Sequence, residues 1–131
     1  MTDLIEVQTS TLAGAALDWA VAKATGADDL RITAAGSICC IYELPCGSGC
    51  WTEYYQPSTD WAVGGPLLDT HCKGFGVVQD GTASRWRSFA YKAETGMSRI
   101  AGGESILIAA CRAIVTLNLG DIVQVPKELI Q

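Results

Sequence analysis

The chain has 131 residues, 49% of them hydrophobic and 18% charged, with a net charge of −5. That is the size and apolar content of one ordinary domain (1–131) with its own core, and it is too hydrophobic for a disordered chain. The acidic balance leaves no domain-wide basic stripe, which argues against a duplex or long single-stranded nucleic acid as partner. A small anion stays open, because backbone N–H groups and one or two arginines can hold a phosphate inside an acidic protein.

The opening run MTDLIEVQTS places acidic residues early and has no apolar core of signal-peptide length. No apolar run is long enough to span a membrane, so the expectation is a cytoplasmic protein with no membrane partner. Leu4 to Gln8 alternates apolar and polar residues and reads as a first strand. Thr9, Ser10 and Thr11 offer a helix cap. Leu12, Ala16, Leu17, Trp19, Ala20 and Ala24 then repeat at helical period, up to a stop at Gly26. ADDL reads as a loop, Ser37 to Leu44 as a strand, CGSG as a flexible turn and WTEYY as a short extended piece before Pro57.

Ser58 is the expected cap of the next helix, with Thr59, Asp60 and Trp61 in its first turn. Gly64 and Gly65 interrupt that helix, and Pro66 suits the first turn of a second short one, PLLDTH. Phe75 to Gln79 and Ser84 to Tyr91 form a hairpin around Asp80-Gly81. ETGMSRIAGGE reads as a loop. A long buried helix starts near Ser105 and stops at Gly120, and Ile122 to Val125 is a last strand ended by Pro126. The fold class is therefore α+β: a small, mainly antiparallel sheet packed with two main helices and a broken short helix.

Chemistry is sparse. His71 is the one histidine, so no multi-histidine metal site can form, and any relay would depend on that residue. There is no nucleophile-elbow serine and no GxxxxGK phosphate loop. Six cysteines are present, and Cys46, Cys50, His71 and Cys72 could be written as a zinc set. The spacing is irregular, a neighbouring His-Cys pair suits a tetrahedral site poorly, and cysteine is a common small core residue. The expectation is free thiols, no metal, no cofactor and no catalysis.

A binding site is better supported. Tyr54, Tyr55, Trp61 and Trp86 can supply flat apolar walls, on which a base stacks with about 1–3 kcal/mol. The helix start at Ser58, Thr59 and Asp60 offers free N–H groups, and Gly64 and Gly65 allow a ligand close to the backbone. Asp60 can accept from a ribose hydroxyl or a base amine, and Arg85, Arg87 or Arg99 can neutralise phosphate. Each residue also has a purely structural role to weigh. Trp19 and Trp61 suit a core, Ser58 a plain cap, and Gly64-Gly65-Pro66 a helix break. Arg85 and Arg87 suit a solvated strand face. Arg112, alone on an apolar helix, is either a snorkelling residue or the buried partner of a carboxylate, with Asp18 and Asp60 as candidates.

TLAGAALDWAVAKATG, YQPSTDWAVGGPLLD and LIAACRAIVTLNLGDIVQVP together resemble the NinX-like proteins of tailed phages and prophages. The cysteine-rich stretch from Cys39 to Cys50 lies outside that pattern. The resemblance covers most of the chain and implies expression in the cytoplasm of an infected bacterium. It brings no catalytic residues. By analogy with other small phage proteins, it implies a homo-oligomeric counter-defence factor that sequesters a nucleotide-derived immune messenger, such as a cyclic ADP-ribose derivative or a cyclic oligonucleotide, without cleaving it. Two further readings stand beside this one: a factor that inhibits or adapts a host protein, and an enzyme that degrades the same class of signal.

Overall fold

The computed structural model describes residues 3–81 and 83–130. In chain order the elements are β1 (Leu4–Gln8), α1 (Gly14–Ala24), β2 (Asp28–Ile32), β3 (Ile38–Glu43), β4 (Gly49–Thr52) and α2 (Trp61–His71). There follow β5 (Cys72–Asp80), β6 (Ala83–Lys92), β7 (Met97–Gly103), α3 (Ile106–Leu119) and β8 (Ile122–Pro126). Short 3-10 turns occupy Thr9–Thr11 and Lys127–Leu129. The fold class is α+β, with every strand pair antiparallel, but the strands form three small sheets instead of one: β1-β8, β2-β3-β4 and β5-β6-β7. No helix of the described residues is long and apolar enough to cross a membrane.

α3 is the hub. One side packs with α1 in a core of Leu12, Leu17, Val21, Cys111, Val115 and Val125, while the other covers the β5-β6-β7 sheet through Ala110, Ala113, Ile114 and Leu117. A helix buried on two sides must be apolar nearly all round, which explains its composition. Its alanines let it approach the sheet closely. A Cβ at Gly103 would come within 2.8 Å of the Ala109 backbone nitrogen. Ser105 caps the helix by accepting from the Ile108 N–H at 3.1 Å, and Gly120, at φ 101°, ends it.

Several elements depart from expectation. Asp28 to Leu30 of ADDL open β2, where Asp29 takes a positive φ of 54° and the register to β3 shifts between Asp28 and Arg31. A bulge with two acidic residues gives no alternating signal. ETGMSRIAGGE contains strand β7, fully paired with β6 from Trp86↔Gly103 to Lys92↔Met97. Gly102 and Gly103 serve close packing, while Gly96, at φ 70°, makes the turn from β6 to β7. The Thr9–Thr11 cluster forms a 3-10 turn, and α1 begins after Ala13 with no side-chain cap. α2 is one continuous helix with Pro66 inside it, capped by Asp60 and not Ser58; the expected glycine break is absent.

Candidate functional site

The approach to α2 is built by a buried carboxylate. Thr59 and Asp60 both donate their N–H to the Gln56 carbonyl, at 3.1 and 2.8 Å, closing a tight turn after Pro57. The Ser58 N–H inside that turn donates to Asp18 Oδ1 on α1 at 2.9 Å. Asp60 Oδ1 then accepts from the Ala62 N–H at 3.0 Å and starts the helix. Asp18 is only 4% exposed. Burial pushes its carboxyl up to about 6, against a smaller downward pull from the Ser58 N–H and hydroxyl. Ser58 Oγ is itself buried and has no hydrogen bond of good geometry.

Gly64 locks α2 in place. A Cβ there would collide with the Pro57 carbonyl oxygen and lie 2.9 Å from Leu107 Cδ2. The helix therefore rests on both the turn and α3, and its opposite side borders a cleft. That cleft, of about 500 Å³, lies between α2, the β3–β4 hairpin and the turn joining α1 to β2. Ala62, Val63, Pro66, Leu67, Thr70 and His71 line it from α2. Ile41, Tyr42, Glu43, Leu44 and Gly49 line it from the hairpin, and Thr25 and Asp28 from the turn.

The cleft has apolar walls and a polar, acidic rim. Tyr55 backs it, pinned by its N–H to the Ile38 carbonyl at 2.9 Å and packed on Tyr42 with ring centroids 5.2 Å apart. The neighbouring Cys50 side chain, then burial, pushes the Tyr42 phenol up to about 12, so it stays a hydrogen-bond donor at neutral pH. Burial lowers the pKa of His71 below the usual imidazole value, leaving it neutral at pH 7 with one donor and one acceptor nitrogen. Asp28 and Glu43 are exposed acceptors, and the lining contains no lysine or arginine. Such a cleft suits flat or sugar-like groups that carry N–H and O–H donors better than it suits a phosphate.

The structure divides the residues singled out from the sequence. Tyr55 lies behind the cleft but is only 1% exposed and belongs to the core, so it is not the free aromatic wall expected from the sequence. Ser58 and Gly64 are buried, Asp60 caps α2, and Thr59 is exposed beside it. Tyr54 and Trp61 are 62% and 57% exposed, so Trp61 is not a core residue. Its ring lies alongside Gly65, where a Cβ would sit 3.6 Å from Trp61 Cε3. Trp19 does pack against the core. Arg85, Trp86 and Arg87 lie on β6 and are absent from the cleft lining; Trp86 packs against Phe75, with centroids 6.5 Å apart. Arg112 has neither Asp18 nor Asp60 as a partner. Its guanidinium donates to two backbone carbonyls, Leu12 at 2.8 Å and Gly102 at 3.0 Å. The cysteines are free thiols, four of them buried, and no three metal-ligating side chains converge among the described residues.

The cleft face of α2 went unread in the sequence because the helix was expected to break at Gly64. Taken as one helix, positions 62, 63, 66, 67, 70 and 71 follow a 3.6-residue period and would have identified it. Residues 8–118 match the family model described as Bacteriophage P22, NinX. No curated protein matches the chain.

Proposed function

The chain belongs to the NinX family of bacteriophage P22, and from that premise we propose that it binds a nucleotide-derived immune signal made by the infected bacterium and withholds it intact. The observation that carries this reading is the cleft beside α2, large enough at about 500 Å³ for the nucleoside part of such a signal, whose phosphates would stay outside the acidic rim in solvent. Its walls supply the Tyr42 ring and the Leu67 side chain, and its rim supplies Thr25, Asp28, Glu43 and Thr70 for ribose hydroxyls and base amines. A homo-oligomer presenting several such clefts would hold the signal at high local capacity.

His71 favours a second reading. A neutral imidazole at the cleft wall is able to accept a proton, as a signal-degrading enzyme requires. One experiment separates the two. The protein is incubated with extracts that contain TIR-derived cyclic ADP-ribose signals or cyclic dinucleotides, filtered, and then denatured. Recovery of unchanged signal after denaturation, and only then, supports sequestration. A hydrolysed product refutes sequestration and assigns turnover. Signal that stays free and unchanged refutes both readings and directs the search to a host protein.

A further inference from the structure

The helices cover one face of the β5-β6-β7 sheet, packing there against Cys72, Ala90 and Ala101. Strand alternation, fixed by the register, turns Arg85, Arg87, Phe89 and Tyr91 of β6 to the opposite face, with Ile100 and Gly102 of β7 beside them. On that face Arg87 is exposed, Phe89 and Tyr91 are half-buried, and Ile100 is 65% exposed. Toward β5 the surface is open. Gly76 stands opposite Arg87 and Gly74 opposite Phe89, and nothing lies within 4 Å of where a Cβ on either glycine would be.

This sheet is also the cationic part of an acidic chain. Its strands, CKGFGVVQD, ASRWRSFAYK and MSRIAGG, together hold five lysines and arginines and one acidic residue, whereas the whole chain carries −5. The Arg87 guanidinium lies over Gly102, where its Nη1 takes the space a Cβ would fill. At the β7 edge the face runs into a groove of about 410 Å³, bordered by Arg87, Ile100 and Gly102 and by Ser10, Asp121 and Ile122. Asp121 repels a phosphate there, which leaves the groove to an uncharged group such as a base.

Two arginines followed by two aromatic rings along one open strand face suit a ligand with both phosphates and flat bases. The rings accept any base by stacking, and the cations follow the backbone. An acidic peptide would engage the arginines and leave the rings unused. We infer that this face binds a short single strand of nucleic acid, with bases stacked on Phe89 and Tyr91 and phosphates held by Arg85 and Arg87. The strand must be short, because the acidic remainder of the chain repels a long one, and a duplex keeps its base faces stacked away from the rings. The inference does not rest on the proposed function.

The test is fluorescence anisotropy of a labelled strand of about six deoxythymidylates, titrated with the full chain at low salt and again as salt rises. Arg87→Gln, at an exposed position, should weaken binding roughly tenfold and reduce the salt dependence by about one phosphate contact. Phe89→Leu should also weaken it roughly tenfold, the loss of one stacked base, and leave the salt dependence unchanged. Phe75→Leu removes an exposed ring from the face that α3 shares, and Thr70→Trp fills the cleft beside α2; both should leave binding unchanged. Absence of binding at millimolar protein, or equal affinity for the same strand in a duplex, overturns the site. So does equal binding by wild type and Phe89→Leu, which together with a loss in Arg87→Gln would mark a plain cationic surface for an acidic partner.

Discussion

Replacing Asp18 with asparagine keeps an acceptor for the Ser58 N–H and removes the buried charge. The wild-type carboxyl is raised from 3.8 to about 6 in the folded protein. The folded state therefore binds more protons than the unfolded state across that window, and Asp18's contribution to stability falls as pH rises from about 4 to about 6. A shift of this size corresponds to about 3 kcal/mol of destabilisation, present in full above pH 6 and absent below the unfolded pKa. His71 acts in the opposite direction, since burial disfavours its charged form and stability rises as it loses its proton. That contribution is common to both proteins and cancels in their difference. Urea unfolding of wild type and Asp18→Asn between pH 4 and 7.5 should show a gap that opens with pH, with the variant more stable at the upper end by up to about 3 kcal/mol. Asp18→Ala removes the acceptor as well. It leaves the Ser58 N–H buried without a partner, at a cost of about 1–3 kcal/mol relative to Asp18→Asn. Parallel stability curves for wild type and Asp18→Asn would refute this account of the buried carboxyl.

The two adjacent glycines of α2 should behave in opposite ways. Gly64→Ala forces a methyl group against the Pro57 carbonyl and Leu107 and should destabilise by about 1–3 kcal/mol, whereas Gly65→Ala meets Trp61 at ordinary contact distance and should be neutral or gain up to about 1 kcal/mol. Thermal melts of the two variants decide it, and equal losses would contradict the packing described. Cys46 is exposed, and the backbone N–H and hydroxyl of Ser48 lower its thiol pKa, while burial raises those of Cys40 and Cys111. Brief iodoacetamide treatment of the native protein, read by peptide mass spectrometry, should label Cys46 first and leave Cys40 and Cys111 unlabelled until unfolding. Uniform labelling would show that the core opens easily.

The elements legible in the sequence were those whose local signals agree with their packing. β1, α1, α3 and the β5–β6 hairpin combine clear periodicity with glycine stops or turn residues. β2 and β7 were missed because tertiary pairing, not local alternation, makes them strands. Gly102 and Gly103 illustrate why: Arg87 and α3 press on them from the two faces of β7, and that demand looks like a loop in a linear reading. The site was half legible. The YYQPSTDWAVGGP stretch does border a cleft, but its most exposed aromatics, Tyr54 and Trp61, do not line it. Its serine and first glycine are buried for structural reasons, in contacts with Asp18, Pro57 and Leu107. Arg112 was recognised as unusual, yet its partners are carbonyls 100 and 10 residues away in the chain, a relation no local pattern records.

The proposed binding of the signal in the cleft beside α2 can be tested by filling that cleft. Thr70 lines that cleft at an exposed position of the helix, so Thr70→Trp should block the cleft without disturbing the core. The measurement is the amount of intact signal released on denaturation by wild type and by Thr70→Trp after incubation with the same extract, with thermal melts confirming equal folding. Release from wild type and little or none from the variant is expected. Equal release from the two proteins would contradict it and place the ligand elsewhere on the molecule.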